Sequence, residues 1–172
     1  VTVATSTEFV SLDSIRAAAA DLAGVAVRTP LLPADALSDQ LGTPVFVKPE
    51  SLQRVGAFKL RGAYTLVRRL VREGATGVIT YSSGNHGQAV ALAARTFGLR
   101  AVVVVPTGAS PVKVAAMQGY GAEVVFEGAT SVERQRRAEA IAAERGYAVV
   151  PPFDAADVVV GHGTAPLEVR QD

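Results

Sequence analysis

The sequence predicts a doubly wound α/β fold with a parallel sheet, and three observations carry that expectation. The runs GVITY (77–81), RAVVVVP (100–106) and AEVVFEG (122–128) are apolar along their length, as strands covered on both faces are. Segments with an apolar residue every three or four positions separate them. Capping residues and terminal glycines punctuate those segments as they do helices, and alternating strand and helix imply a parallel sheet.

Taken in order, SLDSIRAAAADLA (11–23) reads as a helix capped by Ser11 or Asp13 and stopped by Gly24. RTPLLPADALSDQLGTP (28–44) is a proline-punctuated connector with a short helix at its centre. PVFVKPE (44–50) reads as a strand, 58–73 as a helix, 77–81 as a strand, 86–97 as a helix and 100–106 as a strand. Residues 110–120 form a helix with Ser110 as cap and Pro111 at its first position, and 122–128 a strand. Residues 130–146 form a helix closed by Gly146, whose ERQRR run is a solvated face, and YAVVPP (147–152) is a last strand. From Gly161, GHGTAPLEVRQD turns at two glycines, offers Thr164 as a cap and starts an amphipathic helix that ends within two turns, as though the sequence were cut.

Composition narrows the function. The 172 residues are 49% apolar with a net charge of +1, which allows a sizeable core and builds no strong field, so nucleic acid and anionic membrane are poor partners. Without cysteine there is no disulfide framework, thiolate nucleophile or cysteine-ligated metal, and with only His86 and His162 no metal site is expected. No stretch approaches the about 18 apolar residues of a membrane helix and no cationic leader is evident, so the expectation is a soluble, cytoplasmic protein.

Two short stretches carry chemistry. GAFKLRGAY (56–64) places Lys59 and Arg61 at the start of a helix, the end where the backbone dipole disfavours cations. Helical phase gathers Leu60, Ala63, Leu66, Val67, Leu70 and Val71 on one face and sets Arg61 opposite, as a surface residue. Lys59 projects over the apolar stripe, where a partly dry amine beside another cation holds its proton less firmly and becomes nucleophilic. The same position also suits a lysine that snorkels off the helix end. The second stretch, YSSGNHGQ (81–88), joins a strand to a helix, the place where open α/β sheets bind ligands. Ser82, Ser83, Asn85 and His86, with Gly84 and Gly87, suit a small anion such as a carboxylate. A plain capped turn would use similar residues. No GxxxxGK[ST], dinucleotide fingerprint or GxSxG elbow is present.

VFVKPESLQRVGAFKLRGAY followed by YSSGNHGQAVALAA, and then by VVVVPTGASPVKVAAMQGYGAEVV and GHGTAPLEV, resembles the pyridoxal-phosphate enzymes of the tryptophan-synthase-β fold type. Within them it resembles the threonine/serine dehydratase and serine racemase branch, from about residue 28 onward. The resemblance implies that Lys59 is the Schiff-base partner of pyridoxal 5'-phosphate and the base for the substrate α-proton, that Phe58 packs beside the cofactor ring, and that Asn85 binds its 3'-oxygen. Ser82, Ser83, Asn85 and His86 would hold the substrate carboxylate. The implied reaction is deamination of L-threonine or L-serine to a 2-oxo acid and ammonia. Racemisation is the alternative, with Ser83 as the second acid/base. A homodimer or larger homo-oligomer is implied as well.

The chain departs from the family pattern in having Ala57 where a serine is usual, Val55-Gly56 for Thr-Gly, His162 in place of glutamine in GQGT, and Pro166 in the following helix start. Family members continue for more than a hundred residues that carry the phosphate loop. The resemblance therefore implies a small domain over 46–150, with 1–45 an arm and 151–172 the beginning of a large domain that is mostly absent. A second reading is that the chain by itself is a non-catalytic fragment.

Overall fold

The computed structural model describes residues 10–172. Helix α1 (Leu12–Asp21) starts at Ser11, whose hydroxyl accepts from the Ser14 N–H while Ser14 reaches back, so Ser11 rather than Asp13 is the cap. The connector folds into β1 (Leu32–Pro33), α2 (Asp35–Leu41) and β2 (Phe46–Val47), and two 3-10 turns follow at Glu50–Leu52 and Arg54–Gly56. Then come α3 (Lys59–Arg72), β3 (Gly77–Tyr81), α4 (Asn85–Thr96), β4 (Arg100–Val105), α5 (Pro111–Gly119), β5 (Glu123–Phe126), α6 (Ser131–Arg145), β6 (Ala148–Val149), α7 (Ala156–His162) and α8 (Thr164–Gln171).

The main sheet is parallel, in the order β5-β4-β3-β6. Its alternation explains the continuous apolar runs. Val78, Ala101, Val103 and Val105 point into a core shared with α3, α4 and Met117 of α5, whereas Ile79, Val102 and Val104 face Ala138, Ile141 and Ala142 of α6. Helix α6 is closed at both ends as its sequence prescribes. Thr130 and Glu133 form a reciprocal cap, and Gly146 adopts the left-handed conformation that ends the helix.

Four expectations are corrected. PVFVKPE contributes only Phe46–Val47, paired antiparallel with Leu32–Pro33 and outside the main sheet, because Pro44 and Pro49 remove donors on either side. YAVVPP contributes only Ala148–Val149, ended by Pro151 and Pro152. Gly161 is not a turn. It lies within α7 and is pressed against α3, where a β-carbon would stand 2.4 Å from the Arg61 carbonyl oxygen. Ser110 sits at the α5 N-cap, but its side chain makes no capping bond.

A further correction concerns the helix that begins at Lys59. Arg61 does lie opposite the α3 apolar stripe, yet that side meets protein and not solvent, and Arg61 is only 1% exposed. Its Nε and Nη2 donate to Glu50 at 2.9 Å each, and Nη1 and Nη2 donate to Glu168 of α8 at 2.7 and 3.0 Å. Nη1 also reaches Thr164 Oγ1 at 3.1 Å and Nη2 the Val27 carbonyl at 3.2 Å. Lys48 joins the cluster through Glu168 at 2.7 Å and the Thr29 carbonyl at 2.7 Å. Burial opposes the Arg61 charge, but the two carboxylates more than offset it and raise its proton affinity. They thereby cancel the cost of a cation in the first turn of a helix.

Candidate active site

Strand β6 is last in sequence but lies beside β3, so the strand order reverses there. In open α/β sheets the crevice at the carboxyl ends beside such a reversal is where ligands bind. Residues 82–86 follow β3 to that edge and residues 150–155 follow β6 to it.

The start of α3 brings Lys59 to the second of these segments. Its Nζ donates to the Pro152 carbonyl at 2.9 Å and lies 5.1 Å from the centre of the Phe58 ring. Among the described residues no carboxylate pairs with it, and burial pushes its amine below the ordinary lysine value. Phe58 meets the His162 ring edge-on at 4.8 Å. His162 is half-buried, its Nε2 has no partner among the described residues, and desolvation followed by the Lys59 charge lowers it to about 4. His86 is buried; its Nε2 donates to the Val150 carbonyl at 3.3 Å while Nδ1 has no partner among the described residues. Burial brings it to about 4 as well. At neutral pH the amine is thus flanked by two uncharged imidazoles, an aromatic ring and a carbonyl.

The loop after β3 divides its residues. Ser82 continues the sheet, its N–H donating to the Val104 carbonyl at 3.0 Å, and its hydroxyl accepts from the Gly84 N–H at 3.1 Å. Ser83 and Asn85 are exposed, whereas His86 is turned inward, so the imidazole is not presented with the serines. Ser82 and Ser83 line a cleft of about 900 Å³ with Tyr81, Pro152, Phe153 and Arg134 of α6. Pro152 is the hinge between the two environments, giving its carbonyl to Lys59 and lining the cleft. The loop has no cation of its own, but the fold supplies one. The Lys113 side chain lies across Gly84, where a β-carbon would stand 2.6 Å from its Nζ.

Sequence reasoning missed His162, Lys113 and the Pro152 carbonyl. His162 was legible in principle, since Val158, Gly161 and His162 repeat at helical spacing. A carbonyl 93 residues from its lysine leaves no local signal.

The model of the pyridoxal-phosphate dependent enzyme family matches residues 22–172. The chain belongs to that family. It is 42% identical over 146 residues to an L-threo-3-hydroxyaspartate ammonia-lyase of Saccharomyces cerevisiae, covering 84% of this chain and 45% of the relative. It is 43% identical over 148 residues to a biosynthetic L-threonine dehydratase of Pasteurella multocida, covering 86% and 29%. Its fold matches the crystal structure of a pyridoxal 5'-phosphate-dependent aspartate racemase with a TM-score of 0.91 at 35% identity, over 96% of this chain and 53% of that one. The chain spans half or less of the length of the curated relatives named here. The residues on hand fit the family's cofactor, because a primary amine of lowered proton affinity, free of any carboxylate, stands beside an aromatic ring at the switch point. Among the described residues no helix is long and apolar enough to cross a membrane, and no His/Asp/Glu group could hold a metal ion.

Proposed function

We propose that the whole protein is a pyridoxal-phosphate-dependent ammonia-lyase that converts L-threonine or L-serine to 2-oxobutyrate or pyruvate and ammonia. The observation that carries the reading is Lys59, half-buried, unpaired with any acid among the described residues and hydrogen-bonded to the Pro152 carbonyl. The cofactor, when bound, supplies the electron sink for charge developing at the substrate α-carbon. Lys59 would hold it through its amine and, once the substrate's amino group takes that place, would accept the α-proton on Nζ. The surroundings favour this dual use: an amine that is neutral part of the time can both attack and accept a proton. Phe58 would flank the cofactor and Asn85 would hydrogen-bond its 3'-oxygen. The N–H groups at the α4 start, with the Ser82 and Ser83 hydroxyls, receive the carboxylate; His86 contributes its backbone there, since its ring is engaged with Val150. The products follow from loss of the α-proton and the β-hydroxyl, then addition of water and release of ammonia.

Exposure of Ser83 on the cleft keeps serine racemisation as the second reading, with that hydroxyl as the opposing acid/base. We also assign 46–150 to a small domain and the flanking segments to a large one. Arg28 of the arm bonds Gln171 and Asp172 at the other end of the chain, which supports grouping the two flanks.

Borohydride reduction of the full-length protein with pyridoxal phosphate tests the reading. The cofactor is expected to become fixed to Lys59, and Lys59→Ala to lose oxo-acid formation. Fixation elsewhere, or an active Lys59→Ala variant, overturns it. Chiral analysis of products from L- and D-serine separates lyase from racemase.

A further inference from the structure

Helix α3 begins without a capping side chain. The two residues that lead into the preceding link, Val55 and Gly56, both have positive φ, at 60° and 66°. Apolar packing of Leu60 and the close approach of Gly62 to α7 seat the first turn of α3, which carries Lys59. The directional polar grip on that turn comes from the side chain of Arg61. Five hydrogen bonds from Arg61 to side chains run to three residues, Glu50, Thr164 and Glu168, which belong to two other segments. The carboxylates are themselves held: Glu50 accepts from Thr29 Oγ1 at 2.7 Å, and Glu168 from Lys48 at 2.7 Å. A planar fork bound by two carboxylates fixes orientation as well as distance.

We propose that Arg61 is a positioning residue for Lys59: clamped by Glu50 and Glu168, it sets the first turn of α3 so that the Lys59 amine stands against the Pro152 carbonyl. The proposal rests on the reading of Lys59 as the cofactor lysine for its catalytic consequence, but not for its geometry. Lysine at position 61 would keep the charge and lose the fork, so charge alone does not satisfy the role.

The test uses the full-length protein carrying Arg61→Lys, Arg61→Met or Glu168→Gln. In the cofactor-free form, acetylation of Lys59 is followed by mass spectrometry as a function of pH, with added Nα-acetyl-lysine as reference. The titratable and charged groups facing Lys59 are His86 from α4 and His162 from α7. Both are neutral through the alkaline range scanned, so a change there reports the Lys59 surroundings. Wild-type Lys59 is expected to react with a lower midpoint than the free lysine side chain. Both Arg61 variants are expected to move the Lys59 midpoint up towards that of the free lysine side chain, and Glu168→Gln to move it partway. In the loaded enzyme, Arg61→Lys is expected to lower kcat by about a hundredfold, as a displacement of about 1 Å does, with KM changed far less. A folded Arg61→Lys variant with the wild-type Lys59 midpoint overturns the proposal, as does one that loses thermal stability alone. If the Arg61 variants do not fold, the nearly isosteric Glu168→Gln decides by the same shift or its absence. Failure of borohydride to fix the cofactor at Lys59 in the wild type would instead overturn the functional reading and leave the acetylation result standing.

Discussion

Lys59 and Arg61 stand two positions apart in one helical turn, and their side chains leave it in different directions, one to the Pro152 carbonyl and the other to two carboxylates. Helical phase separates the two from sequence alone, because it depends only on the apolar spacing that follows them. What phase cannot show is the destination of Arg61, since a polar side of a helix meets either water or another segment's acids. His86 has the same character. Its polarity and loop position suggested a ligand contact, yet burial and Val150 claim the ring. This has a measurable consequence. The folded state holds His86 neutral down to about 4, whereas the unfolded chain protonates it near 6.5, so between those values the unfolded state binds more protons and stability falls as pH falls. The loss approaches about 3 kcal/mol at the low end. Urea midpoints from pH 7 to 4 are expected to decline, and His86→Gln to remove its share of the decline while the share of His162 remains.

At the scale of elements, two glycines decide how α3 meets α7. A β-carbon on Gly62 would lie 2.7 Å from the Val158 carbonyl, and one on Gly161 would lie 2.4 Å from the Arg61 carbonyl and 2.7 Å from the Gly62 α-carbon. These contacts are with backbone, which cannot swing aside. Gly161→Ala is therefore expected to destabilise the protein by about 3 kcal/mol in urea unfolding, the upper part of the range for overpacking. Gln53 plays a comparable part for the arm. Its side chain accepts from the Val27 N–H and donates to the Val27 carbonyl, both at 2.8 Å, in the manner of a neighbouring strand. Gln53→Ala leaves both Val27 groups without that partner and is expected to cost about 2 kcal/mol by the same measurement. The four helices from 58 to 146 and the three central strands were legible because caps, glycine stops and apolar runs are local signals. The helix over 156–162 was not, because it spans GH at 161–162, whose glycine reads as a turn unless the partner helix is known.

Across the whole molecule, one cluster of charges ties together segments far apart in sequence. Arg28, Lys48 and Arg61 meet Glu50, Glu168 and Asp172, joining the arm, the turn before α3, α3 itself and α8. Such a cluster is costly to break from one side, because the remaining charge is left desolvated. Glu50→Ala is expected to destabilise by about 3 kcal/mol, and the loss should persist in 1 M salt, where exposed pairs would already be screened. Equal losses at low salt and absent losses at high salt would show a surface pair instead. Six residues scattered over 28–172 give no sequence pattern, which is why the fold class was readable and this junction was not.

The late position of β6 has a consequence in time. Strands β3, β4 and β5 are close in sequence and can pair early, but β6 joins β3 only after a loop of about seventy residues closes. Non-local closure of this kind is slow relative to local pairing. The Pro152 carbonyl lies just past β6, so the hydrogen bond that Lys59 makes to it depends on this long closure as the main sheet's outer pairing does.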